Sequence, residues 1–87
     1  MKTIKVLIVN HNDSIVAVFD KDLSDFAIAT QLRLNKDILQ PFVDFEIDEL
    51  FTRISDVDNG EIWVEFVLNG EVEDFTIFQI KEIPFFN

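Results

Sequence analysis

Residues 61–80 read EIWVEFVLNGEVEDFTIFQI, and they specify a β-hairpin. At the centre stands Asn69-Gly70, and both residue types adopt the positive φ that a two-residue type I′ turn requires. On each side of the turn, apolar and polar residues alternate with a period of two, as in a strand with one buried face. The sequence therefore predicts strands over residues 61–68 and 71–80.

The turn also predicts which side chains of this hairpin face each other. In a regular register Glu65 lies opposite Asp74. Like charges in that position destabilise a strand pair by up to about 1 kcal/mol. Two opposing carboxylates at this point therefore suggest a function that outweighs the cost in stability. The residues predicted to face the core are Ile62, Val64, Phe66, Phe75 and Ile77; those predicted on the other face are Glu61, Trp63, Glu65, Asp74 and Thr76.

The second of these faces is a candidate binding site. Glu61, Glu65 and Asp74 would form an acidic ledge around an exposed Trp63, able to accept Lys or Arg from a partner. The competing interpretation is that the carboxylates are simply solvated and that another part of the chain covers Trp63.

The first half of the chain predicts a second hairpin and a helix. Residues 4–9 and 14–19 are rich in β-branched side chains and predict two strands, joined by the turn formers of residues 10–13. The first strand has the nearly continuous apolar character of an interior strand. Asp22, Ser24 and Asp25 are candidate caps for a helix ending near Leu34.

A further helix is expected over residues 46–54, because Ile47, Leu50, Phe51 and Ile54 fall at i, i+3, i+4 and i+7. Pro41 separates the two helical segments. The expected fold is a single α+β domain over residues 1–87, in the order ββ-αα-ββ, with helices packed on one face of a four-stranded antiparallel sheet.

Charge is the feature that bears most directly on function. The net charge of the 87 residues is −10, and residues 44–87 carry all of it, with twelve acidic residues against Arg53 and Lys81. A field of one sign favours a positively charged protein partner and disfavours direct contact with nucleic acid or an anionic membrane. Asp44, Glu46, Asp48 and Glu49 form the densest run, with more carboxylates than helix capping requires.

Several function classes find no support in the sequence. There is no cysteine, and the lone His11 lies among turn formers, so neither a thiolate metal site nor a His-based catalytic constellation is expected. Both glycines are assigned to turns, which leaves no phosphate-cradling loop and no cofactor site. The longest apolar run, residues 15–19, is far shorter than the roughly 20 residues of a helical membrane span. A cytoplasmic, non-enzymatic protein is expected.

The leading hypothesis is an interaction protein that presents an acidic surface to a basic, nucleic-acid-binding partner. Its sharpest form is a phage-type, anti-defence inhibitor that mimics DNA and occupies the nucleic-acid site of a processing enzyme. The residues expected to carry the contact are Glu61, Trp63, Glu65, Asp74, Asp44, Glu46, Asp48 and Glu49.

The alternative hypothesis is a structural or assembly subunit, such as a homodimer, that self-associates through exposed aromatic residues. Trp63, Phe78, Phe85 and Phe86 are its candidates. Salt separates the two hypotheses, because charge-driven binding weakens as ionic strength rises whereas apolar self-association does not.

Overall fold

The computed structural model describes residues 2–9 and 14–85, with no side-chain description for Lys2 and Phe85. Its strands form one antiparallel sheet in the order β2-β1-β5-β4-β3. The elements are β1 (Lys2–Val9), β2 (Ile15–Asp20), α1 (Asp25–Leu34), 3-10 turns at Lys36–Ile38 and Gln40–Phe42, β3 (Glu49–Asp56), β4 (Glu61–Leu68) and β5 (Glu71–Phe85). Within these ranges, no helix has the length and apolar character needed to cross a membrane.

The first hairpin and the first helix agree with the sequence prediction, although the turn predicted at residues 10–13 lies outside the described residues. β1 is an interior strand between β2 and β5. The helix α1 is capped by Ser24, whose Oγ accepts a hydrogen bond of 3.1 Å from the backbone N–H of Ala27. Such a bond satisfies one of the free donors at a helix start.

The expected four-stranded ββ-αα-ββ fold is wrong. The described chain has five strands, one α-helix and two 3-10 turns, because the segment expected to be the second helix is largely the edge strand β3. Leu50 pairs with Phe66 and is buried, whereas Phe51 points the other way and is 48 % exposed. Successive side chains on opposite faces are a property of strands. The β-branched residues Thr52 and Ile54 also suit a strand.

The second hairpin has the predicted turn but not the predicted register. Asn69 and Gly70 have φ of 55° and 80°, as a type I′ turn requires. Next to the turn Val67 pairs with Val72, but Phe66 pairs with Asp74, so the strand β5 carries one extra residue there. This β-bulge leaves Glu73 without a cross-strand partner, and it reverses the facing of every later residue of β5.

The bulge overturns the predicted facing of the side chains of β5 from Asp74 on, and Asp74 and Thr76, predicted on the face away from the core, pair instead with the core residues Phe66 and Val64. Glu65 lies opposite Phe75 rather than Asp74. Phe75, predicted in the core together with Ile77, is 53 % exposed. Phe78, an expected interface residue of an assembly subunit, is instead fully buried.

Burial of polar side chains is the physical reason for the bulge. In the regular register Ile77 would be followed on the core side by Gln79 and Lys81, and burying an unpaired amide or ammonium is costly. With the extra residue, Phe78 and Ile80 occupy the core instead, next to Leu7 of β1.

The sheet has two different faces. The helix face packs against α1 and the segment that follows it, and it holds the core cluster, which is Leu7, Val9, Ile28, Ala29, Leu32, Leu39, Ile47, Leu50, Ile62, Val64, Phe66, Phe78 and Ile80. Alternation along the paired strands places on the opposite side, here called the open face, Ile4, Val6, Ile8, Ile15, Val18, Asp20, Glu49, Phe51, Arg53, Asp56, Glu61, Trp63, Glu65, Val67, Val72, Phe75, Ile77, Gln79, Lys81 and Ile83.

Candidate functional site

The acidic run of residues 44–49 is an extended connection that leads into β3, and the side chain of Gln40 fixes its path. The Gln40 Nε2 donates a hydrogen bond of 2.6 Å to the carbonyl of Phe45, and its Oε1 accepts one of 3.0 Å from the N–H of Ile47. Ile47 is fully buried. This anchoring directs the side chains of Asp44, Glu46 and Asp48 outward, and all three are exposed.

Asp48 joins this connection to the turn of the second hairpin. Its Oδ2 accepts a hydrogen bond of 2.6 Å from the backbone N–H of Asn69, and its own N–H donates to the carbonyl of Val67 at 3.0 Å. The ammonium of Lys36 donates to the Asp48 carbonyl at 3.2 Å. Two segments about twenty residues apart in sequence therefore meet at one end of the sheet.

This meeting gathers carboxylates from both segments. We call the group the acidic end; its members are Asp44, Glu46, Asp48, Glu49, Glu71, Glu73 and Asp74, and all are exposed. Among the side chains that the structure describes, the ion pair within 4 Å is elsewhere, between Lys5 Nζ and Asp25 Oδ1 at 3.9 Å. Seven carboxylates against the nearby ammonium of Lys36 sum to a negative potential over this end of the molecule.

The predicted acidic ledge does not form as one surface. Asp74 belongs to the acidic end, whereas Glu61, Trp63 and Glu65 lie on the open face. Asp44, Glu46, Asp48 and Glu49, which were expected to follow the ledge in importance, are brought together with Asp74. Glu71 and Glu73 were not predicted beside them, because a helix over residues 46–54 gives no contact with the hairpin turn.

Trp63 is not a freely exposed binding residue, because it is sandwiched on the open face. Its ring stacks on Phe75, with centroids 4.4 Å apart and planes at 11°, and the guanidinium carbon of Arg53 lies 4.9 Å from its centroid. The indole Nε1 is buried, and no described residue accepts a hydrogen bond from it. Stacking and the cation–π contact fix the ring. Among the described aromatic residues of the open face, those exposed for contact are therefore Phe75 and Phe51, which were not among the predicted contact residues.

The carboxylate of Asp56 stabilises the turn between β3 and β4. Asp56 accepts hydrogen bonds from the amide Nδ2 of Asn59 at 2.7 Å and from the N–H groups of Asn59 and Asp58 at 3.2 and 3.0 Å. The Asn59 side chain is the largest cause that lowers the pKa of Asp56, followed by the Asn59 backbone. In the described ranges no group of three or more His, Asp or Glu side chains is placed to hold a metal ion.

Two shallow grooves of about 240 and 210 Å³ run between α1 and the edge strand β3. Arg33 and Thr30 line both of them. The titratable acid at this place is Glu49, which lines the smaller groove. The grooves thus do not bring together the paired acid and base groups that general acid–base catalysis uses.

Comparisons with protein-family models, with curated proteins and with solved structures found no match to this chain.

Proposed function

We propose that this chain is a non-enzymatic interaction protein that presents its acidic end to a basic site on a partner protein. The observation that carries the proposal is the hydrogen bond from Asn69 to Asp48, which brings two acidic segments to one place. All seven carboxylates there are exposed. Exposed carboxylates of one sign accelerate encounter with a cationic surface and orient the approach.

The partner that best fits this surface is a nucleic-acid-binding protein. Duplex DNA carries about one negative charge per 1.7 Å of its axis, and proteins that bind it collect Lys and Arg in a groove. Carboxylates from two adjacent segments resemble the phosphate charges of duplex DNA more closely than the carboxylates of a single segment do. The most specific version of the proposal is a phage-type inhibitor that occupies the nucleic-acid site of a nucleic-acid-processing enzyme. A cytoplasmic location is part of the proposal, because such enzymes act there.

Displacement from DNA tests the proposal directly. A DNA-binding fraction from the source organism is bound to duplex-DNA resin at low salt and eluted with the wild-type protein. The test variant replaces Glu46, Glu71 and Glu73 with Lys. The control replaces Asp22, Asp58 and Glu82 with Lys, which makes the same change in net charge at exposed positions outside the acidic end.

The proposal expects the wild type and the control variant to elute the same discrete protein, and the test variant to elute none. Elution should also fail in high salt, since exposed charges are then screened. Equal elution by both Lys variants would show a nonspecific charge effect and contradict the proposal. Failure of the wild type to displace any protein at low salt would also contradict it.

A further inference from the structure

Asparagine followed by glycine occurs twice in this chain, at Asn59-Gly60 and at Asn69-Gly70. Such a pair carries a specific chemistry, because the backbone nitrogen of the glycine can attack the side-chain amide carbon of the asparagine. Glycine permits this attack best, since it has no Cβ to crowd the nitrogen and has the widest backbone freedom. Both pairs lie in turns, with positive φ at the glycine. On sequence alone, the two pairs are equivalent candidates for this reaction.

The structure holds the first pair at both reacting groups. The Asn59 Nδ2 donates a hydrogen bond to Asp56 Oδ2 at 2.7 Å, and the Asn59 backbone N–H donates to Oδ1 of the same carboxylate at 3.2 Å. The Gly60 N–H, which is the attacking group, donates to the Val57 carbonyl at 3.4 Å. The Gly60 carbonyl accepts a further bond of 2.7 Å from the Ile80 N–H. Attack on Asn59 therefore requires several hydrogen bonds to break together.

The second pair is free at both reacting groups. Asn69 and Gly70 are exposed, and no described residue accepts a hydrogen bond from the Gly70 N–H or pairs with the side-chain amide of Asn69. A Cβ at position 70 would meet nothing within 4 Å, so the attacking nitrogen lies in open space. Asp48 holds this turn from outside the hairpin, by accepting the bond of 2.6 Å from the backbone N–H of Asn69.

We infer that Asn69 is a site of spontaneous deamidation in the folded protein. The Gly70 nitrogen loses its proton to hydroxide and bonds to Cγ of Asn69, the Cγ–Nδ2 bond breaks, and ammonia leaves. The five-membered imide that results then takes up water across one of its two C–N bonds. Opening at Cγ yields aspartate, and opening at the backbone carbonyl yields isoaspartate. The net reaction exchanges NH₂ for OH and consumes one water molecule, with no oxidation or reduction.

Opening of the hairpin tip controls the rate of this reaction. The planar imide eclipses Cβ and the Gly70 nitrogen about the Cα–C bond of Asn69, which a type I′ turn does not allow. The turn therefore has to open before the ring can close, and local opening depends on the hydrogen bonds that must break. The bond from Asn69 to Asp48 is one of these. Asp48 thus protects Asn69, although less strongly than the bonds around Asn59 protect that residue.

Deamidation changes the acidic end of the molecule. Either product adds one carboxylate beside Asp48 and Glu71, which are members of the acidic end. Asp-Gly also suits a type I′ turn, so the aspartate product keeps the hairpin. Isoaspartate adds a methylene group to the main chain, which a two-residue turn does not accommodate. The chemistry needs no partner protein, so it stands or fails separately from the proposed function.

Peptide mapping by mass spectrometry tests the inference on the full chain, aged at mildly alkaline pH and physiological temperature. Cleavage after glutamate separates the two pairs, because Glu61 and Glu65 lie between them. Asn69 should react at least about tenfold faster than Asn59, since opening its turn breaks fewer hydrogen bonds. In guanidinium chloride the two rates should become similar, because both pairs have the same local sequence.

Two variants test the part played by the turn. Asp48→Ala should accelerate the reaction at Asn69 about fivefold, because it removes one hydrogen bond that opposes opening. Glu46→Ala is the matched control, since it removes the same charge, and it should change the rate by less than about twofold. Equal rates at Asn59 and Asn69 in the folded chain would overturn the inference. An unmodified Asn69 in a folded sample, aged for a time in which the denatured chain reacts, would do so as well.

Discussion

The Oδ2 atom of Asp48 accepts a hydrogen bond of 2.6 Å from the backbone N–H of Asn69, 21 residues further along the chain. The bond ties the connection before β3 to the tight turn between β4 and β5. It gives Asp48 a structural task that its neighbours in the acidic run do not share. It also makes the shape of the acidic end depend on a single side chain.

Replacing Asp48 with Ala should lower the free energy of unfolding by about 1 kcal/mol, since it removes an acceptor from a backbone donor at an exposed site. Urea denaturation measures this cost. Glu46→Ala is the control, because it removes the same charge and no hydrogen bond to Glu46 is found in the described residues. It should change the free energy of unfolding by no more than about 0.5 kcal/mol. Equal effects of the two substitutions would contradict a structural role for the Asp48–Asn69 bond.

Phe75 and Phe78 of β5 differ in burial. Their replacement by Ala should therefore lower the free energy of unfolding by very different amounts. Phe78→Ala, at a fully buried position, should cost about 3–5 kcal/mol. Phe75→Ala, at a position 53 % exposed, should cost about 1–2 kcal/mol, since it removes the stacking on Trp63 without leaving a buried cavity. Thermal or urea unfolding gives both values. A regular hairpin register predicts the reverse order, so this pair tests the bulge at Glu73.

Glycine is required more strictly at position 60 than at position 70. Both residues have positive φ, which costs a non-glycine residue about 1–2 kcal/mol. A Cβ at position 60 would also lie 2.7 Å from the carbonyl oxygen of Ile80, whereas a Cβ at position 70 meets nothing within 4 Å.

Gly70→Ala should therefore cost about 1 kcal/mol and Gly60→Ala about 3 kcal/mol, since the second adds steric strain. Chemical denaturation of the two variants gives the comparison. A smaller cost at position 60 would show that the turn between β3 and β4 does not approach β5 as closely as described.

Protonation of Asp56 at low pH should lower the free energy of unfolding, because the neutral carboxyl group stabilises its turn less than the carboxylate does. The pKa of Asp56 is lowered in the folded state, chiefly by the Asn59 side chain. Its contribution is then present above the pKa of the unfolded chain and is lost as the pH falls through the folded pKa. We expect Asn59→Ala to reduce stability at neutral pH and to flatten the acid limb of the stability curve. An unchanged acid limb, measured by urea unfolding from pH 7 to pH 2, would be inconsistent with this role of Asp56.

The sequence by itself determined the features that depend on neighbouring residues. Asn69-Gly70 specifies its turn because both residues tolerate positive φ. The sequence also placed the start of α1 among Asp22, Ser24 and Asp25, of which Ser24 is the observed cap. The alternation around the turn located β4 with its observed bounds. Composition likewise determined that the negative charge belongs to the second half of the chain.

Only the tertiary structure decided the features that depend on distant residues. The apolar positions of residues 47–54 fit a helical period, and pairing with β4 made most of them an edge strand. The extra residue at Glu73 follows from which side chains β5 must bury beside β1, and this determines the facing of Phe75 and Phe78. Local pattern cannot supply either result, because strand partner, register and burial are set by contacts between segments far apart in the chain.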